Sequence, residues 1–238
     1  MFNLPEQYKL NKKFAIRTFL TNELTPSERR KLRSSLREIF LVSQISGETI
    51  PSIVNDEYNC QAILFFNIRL QALKGVGTIA ELLQEMIKPL CVLRFHDEVN
   101  EIYSFCYKRL NQQDSNRIVL IDSVLSEKMP IWLPAASKAT FYDTLRFENV
   151  VNKSDKLAMY LEMLTKTFIL SRTSLYAGVL DLLQSALWYN LDEILWFLMK
   201  LIELDGLKSQ LRHATIASEK VRINGEVKSL IEELQANV

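Results

Sequence analysis

Groups able to make or break bonds are sparse in this 238-residue chain, which holds two histidines and three cysteines. His96 stands beside Asp97 and Glu98, residue types that ligate metals. Neighbours in a single turn rarely chelate one ion together, so the trio reads as plain surface, as does His213 in a polar helical stretch. Cys60, Cys91 and Cys106 lie among apolar residues without metal-ligand spacing and read as buried free thiols of a reducing cytosol. Gly75-Val76-Gly77 ahead of a helical segment has the outline of a phosphate-cradling loop. It lacks the third glycine of a dinucleotide fingerprint, and no Gly-Lys-Ser or Gly-Lys-Thr occurs, so a strand-to-helix turn explains it better. There is no Gly-x-Ser-x-Gly elbow.

A metal-dependent nuclease needs acids at adjacent strand ends with a lysine nearby. Asp56, Glu57 and Asp122 are the candidates, but Arg69 and Gln71 stand where a Glu-x-Lys partner would fall. The expectation is therefore no catalytic residue, no metal ligand and no cofactor. The richest surface feature is basic. Arg29, Arg30, Lys31, Arg33 and Arg37 cluster, with Arg29, Arg33 and Arg37 at i, i+4 spacing on an expected helix. Arg29, Arg30, Arg33 and Arg37 are candidate nucleic-acid contacts, since a basic face neutralises phosphates. The competing account is the solvated back of an amphipathic helix, and no interleaved aromatics mark a single-strand stacking surface.

The elements that must position these groups follow from pattern. The net charge of +1 argues against a polyanion-coating protein, and an apolar fraction of 48% allows a sizeable core without staples. Cys60 to Leu70 is the organising strand, apolar through Phe66 and alternating afterwards, ending near Leu73. Before it, Thr25, Pro26 and Glu28 spell a capped helix start. Leu32, Leu36, Ile39 and Phe40 form a helical stripe predicting a helix to about Val42. Glu48-Thr49-Ile50 reads as a short extended piece and Asn55-Asp56-Glu57 as a turn. Thr78 to Glu81 suggests a second capping box, on a helix that stops before Pro89.

Residues 90 to 95, 102 to 107 and 117 to 121 read as three strands of an antiparallel meander, the last two joined by a polar loop over 111 to 116. Ile131-Trp132-Leu133 reads as an edge segment or covering loop. A helix capped by Ser154 carries Leu157 to Phe168. Residues 175 to 204 read as two buried helices joined near Tyr189-Asn190. Asp181, Asp192, Glu193 and Lys200 interrupt this run, which argues against a membrane span. Two final helices, bent near 215 to 218 with Ser218 as cap, fit a helical hairpin or short coiled coil. The fold class is thus α/β (α+β): a mixed or mainly antiparallel sheet with packed helices, then an all-helical C-terminal region. The expected domains are an α/β sheet domain over 1–150, an apolar helical region over 151–204 and a hairpin or coiled-coil tail over 205–238. With no charged leader before an apolar run, the expected location is cytoplasmic.

The order of motifs resembles a bacterial family, domain of unknown function 4391. Phe2-Asn3-Leu4-Pro5 and the Arg-rich helix lead into Ser46-Gly47-Glu48-Thr49-Ile50, similar to its Pro-Glu-Thr-Ile/Leu-Asn stretch. Ile87-Lys88-Pro89-Leu90-Cys91-Val92-Leu93 is similar to its Ile-Pro-x-x-Leu-Phe segment. Ser218 to Leu230 is similar to its C-terminal Arg-Lys-Val-Glu-Leu-Asn-x-Glu-Leu-Lys-x-Leu run. The resemblance covers residues 1 to about 170 and 205 to 236, with no counterpart for 172 to 204. It implies an accessory protein encoded beside helicases and DNA methyltransferases of restriction-like systems, with no catalytic residue to carry over. Three readings follow. One is a non-catalytic interaction subunit of a DNA-modification or phage-defence assembly, with a helicase or methyltransferase component as partner and DNA touched by the first helix. The others are a divergent metal-dependent nuclease and a self-assembling structural protein joined through the C-terminal helices.

Overall fold

The computed structural model describes residues 1–114 and 117–237, so the polar loop over 111 to 116 lies outside the described residues at its last two positions. The chain forms two compact units, Met1–Ser171 and Arg172–Val238. In the first, β1 (Lys9–Phe14), α1 (Pro26–Ser35) and β2 (Leu36–Ile45) come before a small hairpin of β3 (Ile53–Val54) and β4 (Asn59–Cys60). Then come β5 (Ile63–Leu70), α2 (Val76–Met86), β6 (Leu90–His96), β7 (Asn100–Leu110) and β8 (Ile118–Leu125). The two-residue β9 (Met129–Pro130), α3 (Ala136–Thr144) and α4 (Lys156–Ser171) complete the unit.

The main sheet runs β1-β2-β5-β6-β7-β8, with β9 also on β7. Its one parallel pair among the described residues, β5 with β6, is the pair joined through a helix, as a parallel connection requires. β6, β7 and β8 form the expected antiparallel meander. At the β1 edge, exposed Lys9, Lys12 and Lys13 discourage a further strand from adding. One face of the sheet packs Ile39, Phe66, Ile68, Leu93 and Phe95 against Leu32 of α1 and Ile79 and Leu83 of α2. On α4, Tyr160 packs on Phe105 of β7, ring centroids 5.8 Å apart.

Several local expectations are corrected. The Thr25–Glu28 capping box forms as read, but α1 ends at Ser35. Leu36, Ile39 and Phe40 belong to β2, where Ile39, Leu41 and Ile45 are buried in alternation. Of the apparent 3.6-residue stripe only Leu32 is helical; the rest is the start of a strand whose backbone is satisfied by β1 and β5 on either side. Glu48 to Ile50 is a bend, and the short strands fall at β3 and β4 instead. The N-cap of α2 is Gly75, whose φ of 71° a side chain would resist, so Thr78 lies inside the helix and caps nothing. Asp155, one place after the expected Ser154, caps α4 by accepting from the Ala158 amide at 2.8 Å.

In the second unit, α5 (Leu191–His213) and α6 (Ala217–Ala236) form a hairpin. α5 buries Phe197, Leu198, Leu201 and Leu204, α6 buries Ile223, Val227, Leu230 and Leu234, and the two helices are in contact. Lys200 and Glu233 pair across it at 3.1 Å. The apolar stretch before α5 is not a long helix but two short 3-10 turns, Val179–Gln184 and Ala186–Tyr189. They are locked by the Trp188 indole N–H donating to the Leu182 carbonyl at 2.9 Å. Ser218 does not cap α6; Ile216 holds that position with no side-chain bond. No helix among the described residues is long and apolar enough to cross a membrane.

Candidate functional site

The sheet register lays two polar rows across β2, β5, β6 and β7. Phe40, Asn67, Arg94 and Tyr103 stand side by side, and next to them Glu38, Arg69, His96 and Glu101. Residues paired across strands share a face, so these eight side chains form one floor. Its anchor is Glu101, only 1% exposed. One carboxylate oxygen takes Arg94 Nε at 2.6 Å; the other takes the Tyr142 hydroxyl at 2.8 Å and faces Lys138 Nζ at 3.3 Å. Arg94 also donates to Asn67 Oδ1 at 2.8 Å, and the Tyr103 and Tyr142 hydroxyls share a bond of 2.6 Å.

Above the floor runs Trp132, 82% exposed yet held by its indole N–H on the Glu98 carbonyl at 2.9 Å. Exposed Leu133 and Val99 lie on the segments that carry these two residues. A fixed, exposed indole with apolar neighbours is the kind of anchor that protein interfaces use.

The electrostatics are those of a braced structure. Burial pushes Tyr142 up to about 12 and Tyr103 well above its usual value. Burial likewise lowers His96. The thiols respond the same way: burial raises Cys60 to about 12, Cys106 to about 11, and Cys91 as well. Nucleophilic work at neutral pH needs a thiol pKa moved downward.

The sequence-derived candidates do not come together. Arg30 and Arg33 are exposed on α1, while half-buried Arg29 turns inward and donates to the Leu24 carbonyl at 3.2 Å. Arg37 is not on the helix at all; it lies on β2 and bonds Gln71. The expected i, i+4 row of Arg29, Arg33 and Arg37 is therefore broken by the turn from α1 into β2. Asp56 and Glu57 sit in the β3–β4 turn, and Asp122 lies within β8 opposite Tyr107. Among the described residues, no three or more His, Cys, Asp or Glu gather as a metal would require. Sequence reasoning missed Arg94, Glu101 and Lys108. The available signal was a charge inside an otherwise apolar strand, in Leu90-Cys91-Val92-Leu93-Arg94-Phe95 and again in Glu101 to Lys108.

Compared with known protein families, residues 2–234 match the model of the domain of unknown function DUF4391. The chain belongs to this family. The DUF4391 match spans residues 172–204, for which the motif-by-motif resemblance found no counterpart, so the turns before α5 and most of the hairpin lie inside the family's domain. No curated protein and no solved structure matches the chain.

Proposed function

We propose that this DUF4391 protein is a non-catalytic interaction subunit, an accessory component of a bacterial assembly that modifies or defends DNA. The observation that carries this reading is the state of the polar floor. At its centre Glu101, Arg94, Lys138, Tyr103 and Tyr142 are spent on one another, and burial moves the phenols, like the three thiols, away from reactivity at neutral pH. Catalytic sites instead tune such groups toward the working pH. Exposed Trp132, tied by its indole N–H beside Leu133, supplies a docking anchor, and the order of motifs shared with the family supplies the setting, with a helicase or methyltransferase component as partner.

DNA contact, where it occurs, falls to Arg30 and Arg33, because Arg29 is turned inward and Arg37 lies on the sheet. The test is reconstitution with each helicase or methyltransferase encoded beside the gene. A one-to-one complex that Trp132→Ala weakens at least tenfold, with no DNA cleavage by the purified chain in Mg²⁺ or Mn²⁺, supports the reading. Metal-dependent cleavage that co-purifies with the chain and disappears in Asp122→Ala would establish the nuclease instead.

A further inference from the structure

Beyond the pair Leu93–Ser104, β6 and β7 draw apart, and side chains replace the ladder. The Tyr160 hydroxyl takes the Cys106 amide, and the Gln84 amide reaches Ser104 Oγ at 3.2 Å. Past this plug lies a cavity of about 320 Å³, within the usual range for small-molecule sites. Its lining includes Asn59, Gln61, Lys88, Lys108, Arg109 and Ile118.

Lys108 distinguishes this cavity from an ordinary crevice. The residue is 3% exposed, and its ammonium has three hydrogens to place. One goes to the Ile87 carbonyl at 2.7 Å, at the C-terminal end of α2, where the helix dipole favours a cation. Its other two contacts, 3.4 Å to the Pro89 carbonyl and 3.6 Å to Cys91 Sγ, are also to acceptors that carry no full charge. Among the described residues no carboxylate pairs with it. A buried ammonium without an anion is costly, and an anion in the cavity removes that cost. Lys88 and Arg109 add two more cations at the wall, against which the structure sets Glu57, 3.8 Å from Arg109.

The geometry points to a binding site for a small phosphate-bearing molecule, with the phosphate held by Lys108, Lys88 and Arg109. Three cations lining one cavity suit a dianion with oxygens facing several ways, whereas a single carboxylate is served by one guanidinium fork. The volume holds one phosphorylated small molecule, with Asn59 and Gln61 as polar partners for the remainder. This site is independent of the interaction-subunit reading.

The full chain is titrated by calorimetry with inorganic phosphate and, separately, adenosine monophosphate, each against sodium chloride of equal ionic strength and against succinate. Saturable binding of phosphate or the nucleotide that chloride does not reproduce, weakened at least tenfold in Lys88→Ala/Arg109→Ala, is the expected result. Tighter binding of the nucleotide assigns a phosphorylated metabolite as ligand, and equal binding assigns free phosphate. Lys108→Met abolishes binding, and because that change also removes the bond to Ile87, the double variant at the wall gives the independent reading. No binding above chloride, succinate binding as tightly as phosphate, or unchanged affinity in the double variant overturns the assignment.

Discussion

Tyr160 of α4 stands in for a missing rung between two strands: its hydroxyl accepts from the Cys106 amide at 2.9 Å and lies 3.0 Å from the Cys91 carbonyl. Both backbone groups are buried, and they belong to β7 and β6 where those strands part. Removing the oxygen in Tyr160→Phe leaves a buried amide without a partner, at about 1–3 kcal/mol. Urea unfolding should show a lower midpoint with an unchanged slope. An unchanged midpoint would show that the opening closes and pairs those groups directly.

Glu101 is the only acid in contact with both Arg94 and Lys138 among the described residues. Glu101→Gln keeps the shape and removes the charge, leaving two partly buried cations facing each other across a neutral amide. Breaking a buried pair costs about 3–5 kcal/mol, and the partial exposure of both cations places this variant toward the lower end. Thermal unfolding measures the loss. Arg94→Gln in the same background should recover part of it.

Lys156 straps the segment after β2. Its buried ammonium donates to the Gly47 carbonyl at 2.9 Å, to Ser52 Oγ at 3.0 Å and to the Ile50 carbonyl. Lys156→Met fills similar space without donors and orphans those acceptors, a cost of about 1–3 kcal/mol. Limited proteolysis should then cut within residues 47 to 52 while the wild-type chain resists, and equal resistance of the two would show that the strap is dispensable.

The thiols set an alkaline limit. In the unfolded chain they ionise near the ordinary 9.0, whereas burial holds Cys60 at about 12 and Cys106 at about 11 in the native state. A raised native pKa contributes its full share below pH 9, and that share is lost as pH climbs toward 11 and 12. Stability should therefore fall between pH 9 and 11 more steeply than in Cys60→Ala/Cys106→Ala. At pH 8 a thiol reagent should modify none of the three in the native chain and all three in denaturant.

Much of the fold was legible where the signal is local. The Thr25–Glu28 cap, the stop before Pro89, the 90–121 meander and the terminal hairpin each announce themselves within a few residues. The handover from α1 to β2 does not. Leu32, Leu36, Ile39 and Phe40 satisfy a helical period, and only the pairing of β2 with β1 and β5, brought from distant parts of the chain, makes the strand the better state. The candidate site was less legible still. Arg94 and Glu101 are ordinary charges in sequence, and the antiparallel return of β7 on β6 is what joins them.

The sequence by itself determined the class of fold, the Thr25-capped start of α1, the stop of α2 before Pro89, and the scarcity of nucleophiles and metal-ligand spacings. Tertiary structure alone decided that Arg37 leaves the basic helix, that Glu101 is buried among cations, and that Lys108 faces a cavity without an acid beside it. The reason is range. Caps, turns and periodicity act over a few residues, whereas burial and charge pairing depend on which distant strands meet, and no short window of sequence contains that.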